Sequence, residues 1–137
     1  MEIMLAETAG FCFGVKRAVD TVYQEVEQNA PVYTYGPIIH NEEVVNDLQQ
    51  RGVKVLHDFE ELQQLHTGSV VIRSHGVEKQ VYDRIQEQGL KLVDATCPFV
   101  LKIHKIVREE SEKGNRILII GSNDHPEVEG IKGWCKT

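Results

Sequence analysis

Cys12, His40, His75, Cys97, His125 and Glu127 are the residues whose side chains and settings suit chemistry. Each lies where a short β-branched run gives way to a loop and then to helical periodicity. Cys12 sits in GFCFG, where glycines let the backbone approach a bulky group and phenylalanines exclude water from it. Cys97 sits in DATCPF at the predicted start of a helix, a setting whose dipole and free N–H groups stabilise thiolates. Thiolates ligate iron or zinc and also attack carbonyls. The chain has no C-x-x-C spacing for structural zinc and no ferredoxin-type cysteine run. Widely spaced single cysteines suit a cluster buried where several repeated units meet. His40, His75 and His125, with the amides of the SHG and GSN loops, suit an anion such as a diphosphate. Glu127 follows His125 closely enough to deliver protons there. By position alone it equally fits an acidic residue of a helix's first turn, and Glu129 rivals it on the same grounds.

The other histidines and the last cysteine lack this context. His66 falls in a polar loop before a strand, at the opposite edge, and His104 falls inside a helix, so both read as solvated or packed residues. His57 follows VKVL and so meets the positional test, but it adjoins Asp58, a helix cap. Cys135 follows GIKGW, and the residues alone leave its role open.

The elements that must place these loops follow from periodicity. Glu2 to Glu7 reads as a strand. Val15, Ala18, Val19, Val22, Tyr23 and Val26 repeat at helical spacing and give one apolar face. A strand over Val32 to Tyr35 follows, then a helix over Glu42 to Gln50 ended by Gly52, and a strand over Val53 to Leu56. Asp58 then opens a short acidic helix. Val70 to Arg73, Leu90 to Val93 and Arg116 to Ile120 read as strands. Helices run from Glu78 to Gln88, closed by Gly89, and from Pro98 to near Gly114. LQQRGVKVL and IQEQGLKLV echo one unit of helix, glycine and strand. Such alternation predicts an α/β fold of repeated αβ units, with mainly parallel sheets covered by helices. Ligands of open parallel sheets bind beyond the carboxyl ends of the strands, where the reactive loops lie. A boundary near Thr96 and Cys97 divides residues 1–96, one αβ unit with its cysteine loop, from 97–137, the first part of another.

Composition narrows the partners. The 137 residues are 41% hydrophobic, enough for a core, and the net charge of −6 comes from mixed acidic and basic residues. No basic stripe suggests nucleic acid, and neither a polybasic patch nor a long apolar run suggests a membrane. An odd number of scattered cysteines argues against a disulfide framework and suits a reducing, cytoplasmic setting.

The stretches AGFCFGVKRAV, YGPIIHN, IRSHGV, DATCPFV and GSNDHPEVEG, in this order and at these intervals, resemble the signature loops of the 4-hydroxy-3-methylbut-2-enyl diphosphate reductases. The resemblance spans essentially the whole chain and corresponds to the amino-terminal part of that enzyme. It implies three αβ units around a 4Fe-4S cluster held by three cysteines with one iron open to substrate. On that basis Cys12 and Cys97 are two cluster ligands, and His40, His75 and His125 contact the substrate, mainly its diphosphate. Glu127 is then the proton donor. The implied reaction removes a hydroxyl as water with two electrons and two protons, giving isopentenyl and dimethylallyl diphosphates. The resemblance implies an electron donor protein such as a ferredoxin or flavodoxin, without disclosing which. The third cysteine and further diphosphate contacts of the family lie past residue 137, so the chain alone is expected to fold at least partly and not to catalyse. The residues by themselves leave two other readings open: a cysteine-dependent hydrolase or transferase with a histidine base, and a non-catalytic metal-binding module.

Overall fold

The computed structural model describes residues 3–4, 6–7, 9–28 and 31–136. Four parallel strands form one sheet in the order β2-β1-β3-β4, with β1 Val32–Tyr35, β2 Lys54–Leu56, β3 Ser69–Ile72 and β4 Lys91–Asp94. Helix α1 (Phe13–Val26) precedes the sheet. Helices α2 (Glu42–Gln50), α3 (Phe59–Gln63) and α4 (Lys79–Glu87) lie between the strands in sequence. Helices α5 (Pro98–Glu112) and α6 (Pro126–Lys132) follow. The α/β class and the parallel sheet expected from the sequence are therefore present.

Strand β3 explains why the fold holds. All its residues are buried, as expected of a central parallel strand covered on both faces. Because side chains alternate, Val71 points into a core with Ala18, Val22, Ile38, Leu48 and Ala95. Val70 and Ile72 point into the other, with Leu62, Val77, Val81, Ile85 and Leu90. Helices α1 and α2 thus contribute to one core and α3 and α4 to the other. Asn41 and Asp58 cap α2 and α3 through side-chain acceptors for Val44 N–H at 3.0 Å and Glu61 N–H at 2.8 Å. The repeated helix–glycine–strand unit has a backbone cause: Gly52 and Gly89 take φ of 92° and 68°, a left-handed conformation that ends each helix and releases the chain into the next strand.

Two predicted strands are not formed among the described residues, Glu2 and Leu5 of the first lying outside them. Residues 116–120 are irregular, and so are the described residues of the Glu2 to Glu7 run. Several of their apolar side chains are exposed, Ile3 at 83%, Leu118 at 85% and Ile120 at 91%, while Ile117 and Ile119 are half-buried. A strand is completed by its neighbour's hydrogen bonds, and no described strand lies beside either run. β3 begins and ends one residue earlier than predicted, and β4 one residue later.

Truncating Ile85, which is fully buried between α4 and the sheet, to Ala should cost about 2–5 kcal/mol in urea unfolding. Leu118→Ala should cost no more than about 0.5 kcal/mol. Equal costs would show that residues 116–120 are packed in solution.

Candidate functional site

Strands β1 and β3 pair in register to their last residues, Tyr35 opposite Ile72, so both end at one level and their following loops leave side by side. The order of strands reverses here, β2 lying outside β1 and β4 outside β3. Crevices for ligands open at such a reversal, beyond the carboxyl ends of the strands. His40 comes from the loop after β1 and His75 from the loop after β3, and their ring centroids are 5.0 Å apart. His125, from the loop before α6, lies edge-on to His75 at 6.4 Å. The three imidazoles form a row with His75 in the middle. A cavity of about 390 Å³ lined by Pro37, Ile39, His40, Asn41 and Val45 opens beside it.

His75 is half-buried, and its Nδ1 has no hydrogen-bond partner. Burial lowers its pKa below the usual imidazole value; positive charge on His40 and at Arg73 lowers it further, while Glu127 opposes them. His125 caps α6, its Nδ1 accepting from Glu127 N–H at 3.3 Å. That leaves its Nε2 as a donor in the neutral ring.

Cys12 and Cys97 occupy equivalent local positions, the N-caps of α1 and α5, and neither side chain makes a capping hydrogen bond. N-caps favour Ser, Thr, Asp or Asn. Two cysteines in those places leave helix N–H groups uncapped and thiols uncommitted. Neither sulfur is hydrogen-bonded to an imidazole among the described residues, as the nucleophile and base of a thiol hydrolase would be.

The loops carrying these thiols are bound to each other and to the histidine row. Arg17 of α1 donates to the carbonyls of Thr96 at 2.9 Å and Asp94 at 3.2 Å. Asp94 accepts from Thr96 N–H at 2.9 Å, Tyr82 hydroxyl reaches Asp94 and Thr96, and Cys97 N–H donates to Ser74 carbonyl at 2.9 Å. Gly14 lies so close to Cys97 that a Cβ there would stand 2.8 Å from Sγ. The first turn of α1 thus packs directly on the second cysteine.

The two candidate carboxylates serve different places. Glu127 is half-buried and acts electrostatically on His75. Exposed Glu129 acts on Arg73 and lines a separate cleft of about 220 Å³ with Tyr35, His57, Arg73 and Glu78. His57 therefore belongs to that cleft rather than to the histidine row. His66 lies exposed in the turn before β3, at the opposite edge of the sheet. Cys135 is half-exposed beside Ser111 and Lys136, in a hollow lined by residues of 111–117. Arg17 and Arg73 escaped the sequence reading, because an arginine's distant partners leave no mark on its local pattern.

A sequence model of the LytB protein family matches residues 3–137. The chain belongs to the LytB family. Relatives named 4-hydroxy-3-methylbut-2-enyl diphosphate reductase include those of Thermoanaerobacter sp. (strain X514), 51% identical over 98% of this chain, and Clostridioides difficile (strain 630), 44% identical over 99% of it. The chain spans about half the length of these curated relatives, 48% in both cases. A solved (E)-4-hydroxy-3-methyl-but-2-enyl diphosphate reductase, described as the terminal enzyme of the non-mevalonate pathway, superposes with a TM-score of 0.80 at 40% identity, over 96% of this chain and 46% of that one. The reductase from Plasmodium falciparum superposes with 0.85 at 29%, over 93% and 40%. No described helix of this LytB chain is long and apolar enough to cross a membrane.

The depressed His75 is a checkable property of this arrangement. Histidine NMR titration should place its pKa below the usual value of about 6.5, and His40→Asn should move it upward by removing a neighbouring positive charge. An unchanged titration in that variant would mean that the two rings do not face each other in solution.

Proposed function

We propose that this chain supplies two cluster ligands, the diphosphate contacts and the proton donor of a cytoplasmic 4Fe-4S reductase. That enzyme converts 4-hydroxy-3-methylbut-2-enyl diphosphate to isopentenyl and dimethylallyl diphosphates. The observation that carries the reading is the convergence, at one sheet edge, of a three-imidazole row with a loop bearing an uncommitted cysteine, in a family whose relatives bear that name.

The donor chemistry fits the cluster in part. Cys12 and Cys97 offer free thiols at N-caps where a hydroxyl or carboxylate would serve the helix better, and Gly14 leaves room at the Cys97 sulfur that any larger residue would fill. Among the described residues no group of three or more His, Cys, Asp or Glu side chains could hold a metal ion. The third thiolate is accordingly assigned to the further length of a protein the size of the relatives. When bound, the cluster supplies an open iron as Lewis acid and as entry point for electrons, delivered by a ferredoxin or flavodoxin. On the same reading residues 1–96 form the first αβ unit and 97–137 open the second.

The chain's own residues do the rest. His40, His75 and His125 donate hydrogen bonds to the diphosphate, whose charge favours protonation of the otherwise neutral His75. That grip orients the allylic end toward Cys12 and Cys97. Glu127, rather than Glu129, delivers the proton for the departing hydroxyl, because it adjoins the histidine row, its N–H bonded to His125, while Glu129 lines the separate cleft of Arg73.

In the full-length protein Cys12→Ser and Cys97→Ser should fold at least as well as the parent, serine being the better N-cap, yet lose stable iron and sulfide. Parent-like iron content and turnover in either would refute the ligand assignment. Glu127→Gln should keep iron and substrate binding while turnover falls roughly 10²-fold or more, with Glu129→Gln nearly unaffected. The reverse ranking would make Glu129 the donor.

A further inference from the structure

His104 is 2% exposed in the middle of α5, and neither ring nitrogen has a hydrogen-bond partner. A buried imidazole without partners costs stability relative to an apolar ring, so its polarity is not what the fold uses at that point. Its shape is used on every side. Gly76, directly after His75, has φ of 72°, and a Cβ there would stand 2.5 Å from His104 Cε1. Gly130 of α6 faces the ring at ordinary contact distance, a Cβ there lying 3.5 Å from Nε2. Trp134 stacks on the third side, centroids 5.4 Å apart and planes 24° from parallel, and its indole N–H donates to Val77 carbonyl at 3.0 Å.

The ring thus stands between two glycines, one in the loop that carries His75 and one in the helix that carries Glu127 and is capped by His125. We infer that His104 is a positioning residue whose ring sets the separation of the His75 loop from α6, and so the spacing of the anion-binding row. It touches neither ligand nor reacting atoms. Trp134 completes the device by clamping the chain after α6 to the residue that follows Gly76. Removing the ring would let α6 sink into the space left behind and draw His125 off His75, while the His75 loop, held by β3, keeps its place against His40. For its ligand readout the inference rests on the histidine row binding a diphosphate; its geometric readout does not.

The test uses NMR contacts between histidine rings together with the dissociation constant for inorganic pyrophosphate. His104→Ala should lose the His75–His125 contact, keep the His40–His75 contact and the amide pattern of the sheet, and bind pyrophosphate about tenfold more weakly. His104→Phe, which restores a ring without nitrogens, should recover the contact and most of the affinity. The inference is overturned if the Ala variant keeps the His75–His125 contact. It is also overturned if the Phe variant fails to fold or folds without that contact, since the nitrogens would then be what matters. Should the Ala variant unfold, the Phe variant decides alone by the same criterion. If the parent chain shows both contacts but binds no pyrophosphate, the diphosphate reading fails while the ring contacts still decide the role of His104.

Discussion

The in-register parallel pairing of β1 with β3 is the constraint on which the rest depends. Parallel neighbours run in the same direction, so their carboxyl ends and the loops that follow must emerge on one side of the sheet. Ending β1 and β3 at the same level, where the strand order reverses, brings His40 and His75 within 5.0 Å although 35 positions separate them in the chain. Burial between two cores then keeps β3 from slipping. A shift of one residue would swap Val71 with its neighbours between the two cores and mismatch the side chains packed in each.

A second layer of contacts brings the thiols to that edge. Here the backbone is the structural material: Arg17 grips carbonyls of the Asp94–Thr96 turn, and Cys97 N–H binds Ser74 carbonyl one residue before His75. Gly14 lets α1 come against Cys97 with nothing between. At this short range loss of a methyl group decides the geometry, whereas surface ion pairs such as Lys16–Asp20 or Lys79–Asp83 contribute little to it. The outcome is a site assembled from segments remote in sequence, with side chains left free of local capping duties.

Much of this was legible in the residues. Helices α1 and α2, the cap at Asp58 and strand β1 follow directly from periodicity and turn chemistry, because each carries its own local signal. The meeting of His40 and His75 followed from one topological rule applied to their positions, whereas His125 joins them although the strand expected before it is not formed. What failed was the pair of runs at Glu2 to Glu7 and Arg116 to Ile120. A short continuous apolar run states that a segment suits a sheet but not that a neighbouring strand will be there, and the ladder needs both. His104 was illegible for the opposite reason. Read as a solvated or packed residue with no special role, it is packed, but its neighbours Gly76, Gly130 and Trp134 come from three other segments, and nothing local announces them.

The claim that one edge of this sheet is an anion-binding row is tested most directly by adding inorganic pyrophosphate to the isotope-labelled chain and following all histidine side chains and backbone amides. The account predicts shifts concentrated at His40, His75 and His125 and at the amides of the loops that carry them, with His57 and His66 unmoved. Shifts centred on the cleft of His57 and Arg73, or none at the three-imidazole row, would contradict it.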